Sequence, residues 1–269
     1  MRNQNKHGTI KKLWKICMSK KIGIIGCGVI GTVLKQWLQT HTKHVIKILD
    51  PAKGYFDDIN DCDVFFIQIH IPTQKNGKQD LDTLGEILAN LPNKPIFIRT
   101  TILPGTTDKL RKKFDKDICF MPEFLTERTA SKDFNKQPII CTGHINLLKD
   151  IFPNKTFIRM SSTEAEIAKY AHNVFGALKV TYFNAIQELC SNLDADFQKV
   201  RQGVTLSGYI SPVHTAVPGP DGSFGYGGKC FPKDISAFWC QNKRGPLGRL
   251  LGVVIKLNKK FRAKTPLKD

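Results

Sequence analysis

No apolar run in this sequence approaches the roughly 20 residues that a helix needs to cross a bilayer. The basic N-terminus also lacks the apolar stretch and small-residue cleavage site of a secretory signal. There is no Cys-x-x-Cys pair and no Cys/His spacing of the kind that holds a metal, although eight cysteines stand at 17, 27, 62, 119, 141, 190, 230 and 240. These absences exclude a disulfide-stapled secreted domain and a zinc ribbon, and point to reduced, mostly buried thiols in a cytosolic protein with no metal expected. Acidic residues are nearly missing from both ends. Residues 1–21 carry seven Lys/Arg and no acid, and residues 243–269 carry nine against Asp269 alone, so +15 of the formal +18 sits in two terminal stretches. The body between them is close to neutral, so polyanion binding is not implied there, and no specific nucleic-acid partner is expected. The ends are read as basic tails over 1–19 and 243–269, either simply solvated or in contact with an anionic surface.

What is present starts with "KKIGIIGCGVIGTVLKQWLQT". A short apolar run, Ile22 to Ile25, passes into Gly26, Gly28 and Gly31, and a helical pattern follows through Val33, Leu34, Trp37 and Leu38. Strand, G-x-G-x-x-G and helix in that order form a dinucleotide-binding fingerprint. The first glycine permits the turn, the second lets a pyrophosphate approach the backbone, and the third lets helix pack on strand. The helix start, Val29 and Ile30, faces the phosphates with free N–H groups. A second apolar run ends at Asp50, nineteen residues after Gly31, where a carboxylate grips a ribose hydroxyl and favours NAD. Further strands are predicted at 63–72, 95–102, 117–122 and 138–143, with helices in "LDTLGEILANL" and "GTTDKLRKKF" between them. Alternating strands and helices predict a Rossmann-type α/β domain over 20–160, with a doubly wound parallel sheet. Ligands bind beyond the carboxyl ends of such strands, where "IPT", "TTILPGTT" and "MPEFLTER" fall.

From Thr163 to about Asn192 there is no proline and one glycine, which predicts a long helix capped by Ser162 or Thr163, with Glu164 and Glu166 favourably placed in its first turn. An apolar stripe runs through Ala168, Ala171, Phe175, Leu178, Tyr182, Ala185 and Leu189, and a helix of that length crosses between domains and packs on a partner helix. Off the stripe, Lys169 and Asn173 stand four apart on one face, where an ammonium and an amide steady a developing oxyanion. Residues 161–242 are read as this helix plus a small helical dimerisation domain. Within it lies "FGYGGKCFPKD", residues 224–234, which reads either as a surface turn that holds a thiol or as a nucleophile on a loop open to substrate.

Taken together, "GCGVIG", "IPT", "TTILPGTT", "MPEFLTERTA", "AEIAKYAHNVFGALK" and "FGYGGKCFPKD" resemble, in order and rough spacing, the UDP-glucose/GDP-mannose dehydrogenase family over about residues 20–240. Members oxidise the C6 alcohol of a nucleotide sugar to a carboxylate, using NAD twice, and dimerise through the long helix. By that resemblance Cys230 is the nucleophile that forms a thiohemiacetal and then a thioester; nearby cations can lower a thiol's pKa, and Lys229 and Lys233 are its neighbours in sequence. Lys169 and Asn173 hold the oxyanions, Asp234 positions Lys169 or a water, Glu123 is the base for thioester hydrolysis and Thr101 orders water. Thr73, Thr101 and Glu127 join the glycine loop at the cofactor. Glu123, Phe124, Leu125, Lys169, Asn173, Tyr226 and Gly227 contact the substrate, and glycines 225, 227 and 228 let the loop wrap the sugar. The departures are a short segment after Asp50, Gln74, Met121, Arg128 and Lys229 at unusual positions, and an expected lack of the family's C-terminal nucleotide-binding domain. Two alternatives stay open: a two-electron hydroxyacid-type dehydrogenase, whose families also place Lys-x-x-x-Asn on the interdomain helix, and a non-catalytic NAD-binding scaffold with polyanion-binding tails.

Overall fold

The computed structural model describes residues 19–264 other than residue 75. Apart from Ser19, the basic N-terminal stretch therefore lies outside the described residues. Strand β1 (Lys21–Ile25) leads through the glycine loop into helix α1 (Val29–His41), and β2 (Val45–Asp50) ends on the acidic residue singled out above. The twelve residues that follow fold back as β3 (Tyr55–Phe56), antiparallel to β2 with Leu49 opposite Phe56. Next come β4 (Val64–Ile67), α2 (Asp82–Asn90), β5 (Ile96–Ile98), α3 (Thr106–Phe114) and β6 (Ile118–Phe120). Together the six strands form one sheet in the order β3-β2-β1-β4-β5-β6, parallel except for β3.

Strand β4 is buried on both sides, as a parallel sheet covered by helices requires. Its side chains alternate accordingly. Val64 and Phe66 join Leu34, Trp37 and Phe152 on one face, while Phe65 and Ile67 join Leu84, Leu88 and Phe120 on the other. The chain continues through α4 (Ala130–Lys136), β7 (Ile139–Cys141), α5 (Ile145–Ile151) and β8 (Phe157–Arg159). The strand predicted at 138–143 exists but is not part of the six-stranded sheet. It pairs with β8 and touches β6 through Thr142, whose Oγ1 accepts the Phe120 amide at 2.8 Å.

Helix α6 (Ser162–Asn192) has 31 residues and so spans about 46 Å. Its cap is Ser161, one residue before the expected positions. The Ser161 hydroxyl accepts the Glu164 amide and the Glu164 carboxylate accepts the Ser161 amide, a closed capping box. The predicted apolar stripe is not the face that packs within this chain. Ala165, Tyr170, Val174, Ala177 and Phe183 are buried, whereas Phe175, Tyr182 and Leu189 are 64%, 55% and 51% exposed. After α7 (Phe197–Thr205) come α8 (Phe231–Asn242) and α9 (Pro246–Ala263), which pack on α6 and on each other around Tyr170, Tyr226, Ile235, Phe238, Leu251 and Val254. The supposed basic C-terminal tail is thus, through Ala263, an amphipathic helix. Its lysines and arginines had masked the spacing of Leu251, Val254, Asn258 and Phe261, all of which are buried.

Candidate functional site

The glycine loop joins β1 to α1 with the division of labour its spacing predicts. Gly26 has φ +88°, and a Cβ there would lie 2.8 Å from the Gln68 carbonyl oxygen. A Cβ on Gly31 would meet the Gly26 carbonyl oxygen at 2.2 Å, so helix and strand approach too closely for any side chain. Around Gly28 no atom would lie within 4 Å of an added Cβ, and that open face, at the uncapped start of α1, is where a phosphate fits against free amides. The Asp50 carboxylate accepts the Cys27 amide at 2.6 Å, fixing it beside the loop. A cleft of about 590 Å³ opens here, lined by Gly28, Val29, Thr32 and Lys53 on one side and Glu127 and Arg128 on the other. Glycine loop, the acid fixed beside it and the cleft therefore fit an NAD-type dinucleotide. Ile30 does not line the cleft directly.

The second group of residues surrounds Cys230, which immediately precedes α8. Lys169 on α6 is buried and its ammonium donates to the Glu123 backbone carbonyl and, at 3.1 Å, to the Glu123 carboxylate. The same nitrogen lies 5.3 Å from the Phe124 ring centre, whose edge meets His172. One turn further along α6, Asn173 Nδ2 donates to Asp234 Oδ2 at 2.7 Å, while Lys233 holds the other oxygen of Asp234 at 2.5 Å. Asp234 is thus buried yet doubly paired, which offsets its desolvation. It orients Asn173 and Lys233 rather than Lys169, as had been one of its expected roles. Thr73 joins this group by donating to the Lys233 carbonyl at 3.4 Å, and Thr101 is buried at the carboxyl end of β5.

Cys230 is solvent-exposed, yet the atoms packed around its sulfur push the thiol above its usual range, helped by Asp234 and Glu123 and opposed by Lys233 and Lys169. Lys233, near in sequence, does act on the sulfur and is joined by Lys169, but burial and the two carboxylates outweigh them. The net shift is upward.

Two other expectations are corrected. The Tyr226 ring is packed in the helical core, burial raises its hydroxyl pKa to about 12, and its backbone exchanges hydrogen bonds with Asn258 of α9 at 2.6 and 3.1 Å. It is not presented to a ligand. Nor do Gly225 and Gly227 open the loop toward a sugar. A Cβ on Gly225 would strike Asn258 at 2.4 Å and one on Gly227 would meet Arg262 at 2.9 Å, so both glycines admit α9. Gly228, at φ +75° with open space beside it, is the glycine that faces outward. Leu125 packs against the core on the α1 side of the sheet, and its amide is held by the Glu123 carboxylate at 2.6 Å.

Several residues that position the site carry no motif. Glu166, fully buried, turns away from its own helix. It accepts from the Gly105 amide at 2.6 Å, the Thr107 amide at 2.8 Å and the Thr107 hydroxyl at 2.6 Å, capping α3 from a distance. Gln79 bridges the Thr101 carbonyl, the Leu103 amide and the Tyr170 hydroxyl at 2.9–3.0 Å. Arg99 lies buried behind Glu123, bonded to Gln68 at 3.1 Å and stacked near Phe134, with burial lowering its pKa to about 10. Only spatial proximity reveals these roles.

A glycine-loop dinucleotide domain, joined by a long helix to a helical unit that presents a cysteine beside Lys, Asn and Asp, defines a class of nucleotide-dependent oxidoreductase folds. Residues 47–150 match the model of the UDP-glucose/GDP-mannose dehydrogenase family NAD binding domain, and residues 163–260 match that of its central domain. The chain belongs to this family. It is 30% identical over 241 residues to the UDP-glucose 6-dehydrogenase of Rickettsia typhi, covering 82% of this chain and 53% of that one. It is 29% identical over 244 residues to UDP-glucose 6-dehydrogenase TuaD of Bacillus subtilis, covering 80% and 51%. The chain therefore spans about half the length of the curated relatives it matches. Its fold is similar to a UDP-glucose dehydrogenase of Pyrobaculum islandicum, with TM-score 0.78, 22% identity and coverage of 91% of this chain and 69% of that one. A UDP-D-ManNAc dehydrogenase of Pyrococcus horikoshii gives TM-score 0.69 at 19% identity, covering 90% and 69%.

Proposed function

We propose that this chain carries the catalytic half of an NAD-dependent nucleotide-sugar 6-dehydrogenase, with UDP-glucose as the substrate. The observation that carries the reading is the convergence of Lys169, Asn173, Asp234, Lys233 and Glu123 on the surroundings of Cys230. Gly28, Val29, Asp50 and Glu127 hold the dinucleotide, which supplies the hydride acceptor when bound. Oxidation of the C6 alcohol leaves an aldehyde carbon. The Cys230 sulfur bonds to that carbon, and the carbonyl oxygen becomes an oxyanion, steadied by the Lys169 ammonium and the Asn173 amide. When this thiohemiacetal loses its second hydride, the C=O bond re-forms and a thioester remains on Cys230. Glu123 takes a proton from water as the water oxygen bonds to the thioester carbon. The C–S bond then breaks, releasing the Cys230 thiolate and the sugar carboxylate. Thr101 orders that water, and the Asp234 carboxylate fixes Asn173 and Lys233 throughout.

The reading includes a homodimer. Phe175, Tyr182 and Leu189 leave a long apolar face of α6 exposed, and a second copy of the same face covers it with two-fold symmetry. The test of function is NADH formation with a panel of UDP- and GDP-sugars, with Cys230→Ser as control. Turnover of UDP-glucose with two NADH per carboxylate, reduced by roughly three orders of magnitude in the variant, supports the proposal. NAD binding without turnover of any sugar sinks it.

A further inference from the structure

Apart from the residues around Cys230, Asp117 immediately precedes β6 and Cys119 lies within it. Residues two apart on a strand point to the same face, so the Asp117 carboxylate and the Cys119 sulfur emerge together. His144, from the turn between β7 and α5, reaches them from a second segment. Its Nε2 lies 2.6 Å from Asp117 Oδ2, and the carboxylate oxygen, the sulfur and the imidazole nitrogen all lie within 4.8 Å of one another. We propose that Asp117, Cys119 and His144 form a binding site for a zinc-class divalent cation.

The Asp117–His144 ion pair accounts for those two side chains, and the Cys119 sulfur sits at the edge of the core beside Arg111 and Thr142, but neither accounts for the backbone of the turn. His144 is held at φ +50°, ψ +38°, the left-handed region that a residue with a side chain seldom adopts. Gly143 beside it is compelled by the sulfur, since a Cβ there would lie 2.6 Å from Cys119 Sγ. The turn is therefore drawn down onto the thiol in a strained conformation, and strain kept at a cluster of polar groups is a mark of a functional site. Carboxylate oxygen, imidazole nitrogen and thiolate sulfur are the three ligand types that zinc takes, at about 2.0–2.3 Å each. To bind, the Asp117–His144 contact opens by roughly an ångström and the sulfur closes toward it, movements within reach of side-chain rotation. Cys119 is buried while Asp117 and His144 face solvent, which leaves the fourth tetrahedral position to water. Such a cation pins β6 to the start of α5. No Cys/His spacing signals it, because the histidine comes from a separate segment and one ligand is an aspartate.

The test uses the full chain, freed of metal with a chelator and titrated first with Co²⁺ and then with Zn²⁺. Expected are a thiolate-to-cobalt charge-transfer band that saturates at one equivalent, its bleaching by one equivalent of Zn²⁺, and a higher thermal midpoint with Zn²⁺ present. The band should vanish in Cys119→Ser and persist in Cys230→Ser. Zn²⁺ affinity should fall by about tenfold or more in His144→Ala and in Asp117→Asn, whose exposed positions keep the variants folded even if the buried Cys119→Ser change does not. A wild-type protein that gives no band, a band that survives Cys119→Ser, or Zn²⁺ affinity unchanged in both His144→Ala and Asp117→Asn overturns the assignment.

Discussion

Replacing Glu166 tests how the two halves of the site are held in register. Its carboxylate accepts three hydrogen bonds from the start of α3, at 2.6, 2.8 and 2.6 Å, and is fully buried. Glu166→Ala leaves those donors without a partner, and each unpaired buried donor costs about 1–3 kcal/mol. Because the Gly105 amide is only partly buried and water reaches it, a total of about 4 kcal/mol is expected, or a fall in melting temperature of about 8–15 °C. Glu166→Gln keeps one acceptor oxygen for Thr107 and no longer buries a charge, so about 1 kcal/mol is expected. The pH dependence separates packing from charge. Burial, the largest cause, raises the Glu166 pKa above its usual value, against the pull of its hydrogen bonds to Thr107 and Gly105. A carboxyl with a raised folded-state pKa adds stability that is complete below the unfolded pKa of about 4.3 and is lost as pH climbs through the folded value. The wild type should therefore gain on Glu166→Gln as pH falls from 7 to about 4, measured by denaturant titration of both proteins. A loss below about 1 kcal/mol for Glu166→Ala, or a wild-type advantage that shrinks on acidification, refutes this account of the anchor.

Three further outcomes follow from the geometry. Gly28→Ala, with open space around its Cβ, should keep the wild-type melting temperature yet raise the KM for NAD about tenfold, whereas Gly31→Ala, 2.2 Å from the Gly26 oxygen, should lower the melting temperature itself; equal stability losses in the two variants would remove the ligand role of Gly28. Alkylation of Cys230 by iodoacetamide should rise with pH to a midpoint above the ordinary thiol value of about 8.5, moving down in Asp234→Asn and up in Lys233→Met as the signs of those charges require. Phe175→Glu with Tyr182→Glu, both exposed in the single chain, should convert a dimer to a monomer in light scattering without loss of helicity, and a wild type already monomeric would end the dimer proposal.

The dinucleotide half of the fold was legible because its signals are local. A strand of apolar residues, three glycines at fixed offsets and an acid at the end of the next strand each report their own backbone geometry, and in the structure Gly28 lines a cleft while the Asp50 carboxylate holds the Cys27 amide beside it. Lys169 and Asn173 were legible as a face for the same reason, since a separation of four on a helix is a spatial statement. Glu166 was misread by the same logic. Its place in the first turn suggested service to its own helix, yet Glu164 had already closed that cap and Glu166 was free to satisfy another. The direction of the Cys230 pKa shift was not legible for a similar reason. Counting nearby lysines in the sequence tallies neither the burial of the sulfur nor the charges of Asp234 and Glu123, which the fold brings beside it.

The cysteine loop shows how a motif can serve two purposes at once. Read as sequence, its glycines belonged to the substrate; in the folded chain Gly225 and Gly227 belong to α9, and only Gly228 is left open. Asn258 spans the contact, its side chain accepting the Tyr226 amide and donating to the Tyr226 carbonyl. Its neighbour Arg262 holds Asp221 at 2.8 Å on the same loop. Helix α9 therefore shapes the strand of backbone that ends at Cys230, four residues beyond Tyr226. Charge alone suggested a tail, solvated or lying on an anionic surface, whereas a helix that is basic outside and apolar inside accounts for both the charge and the apolar residues. The position of the Cys230 sulfur thus depends on residues that sequence motifs place outside the cysteine loop, and a boundary drawn at residue 242 would cut through the support of that loop.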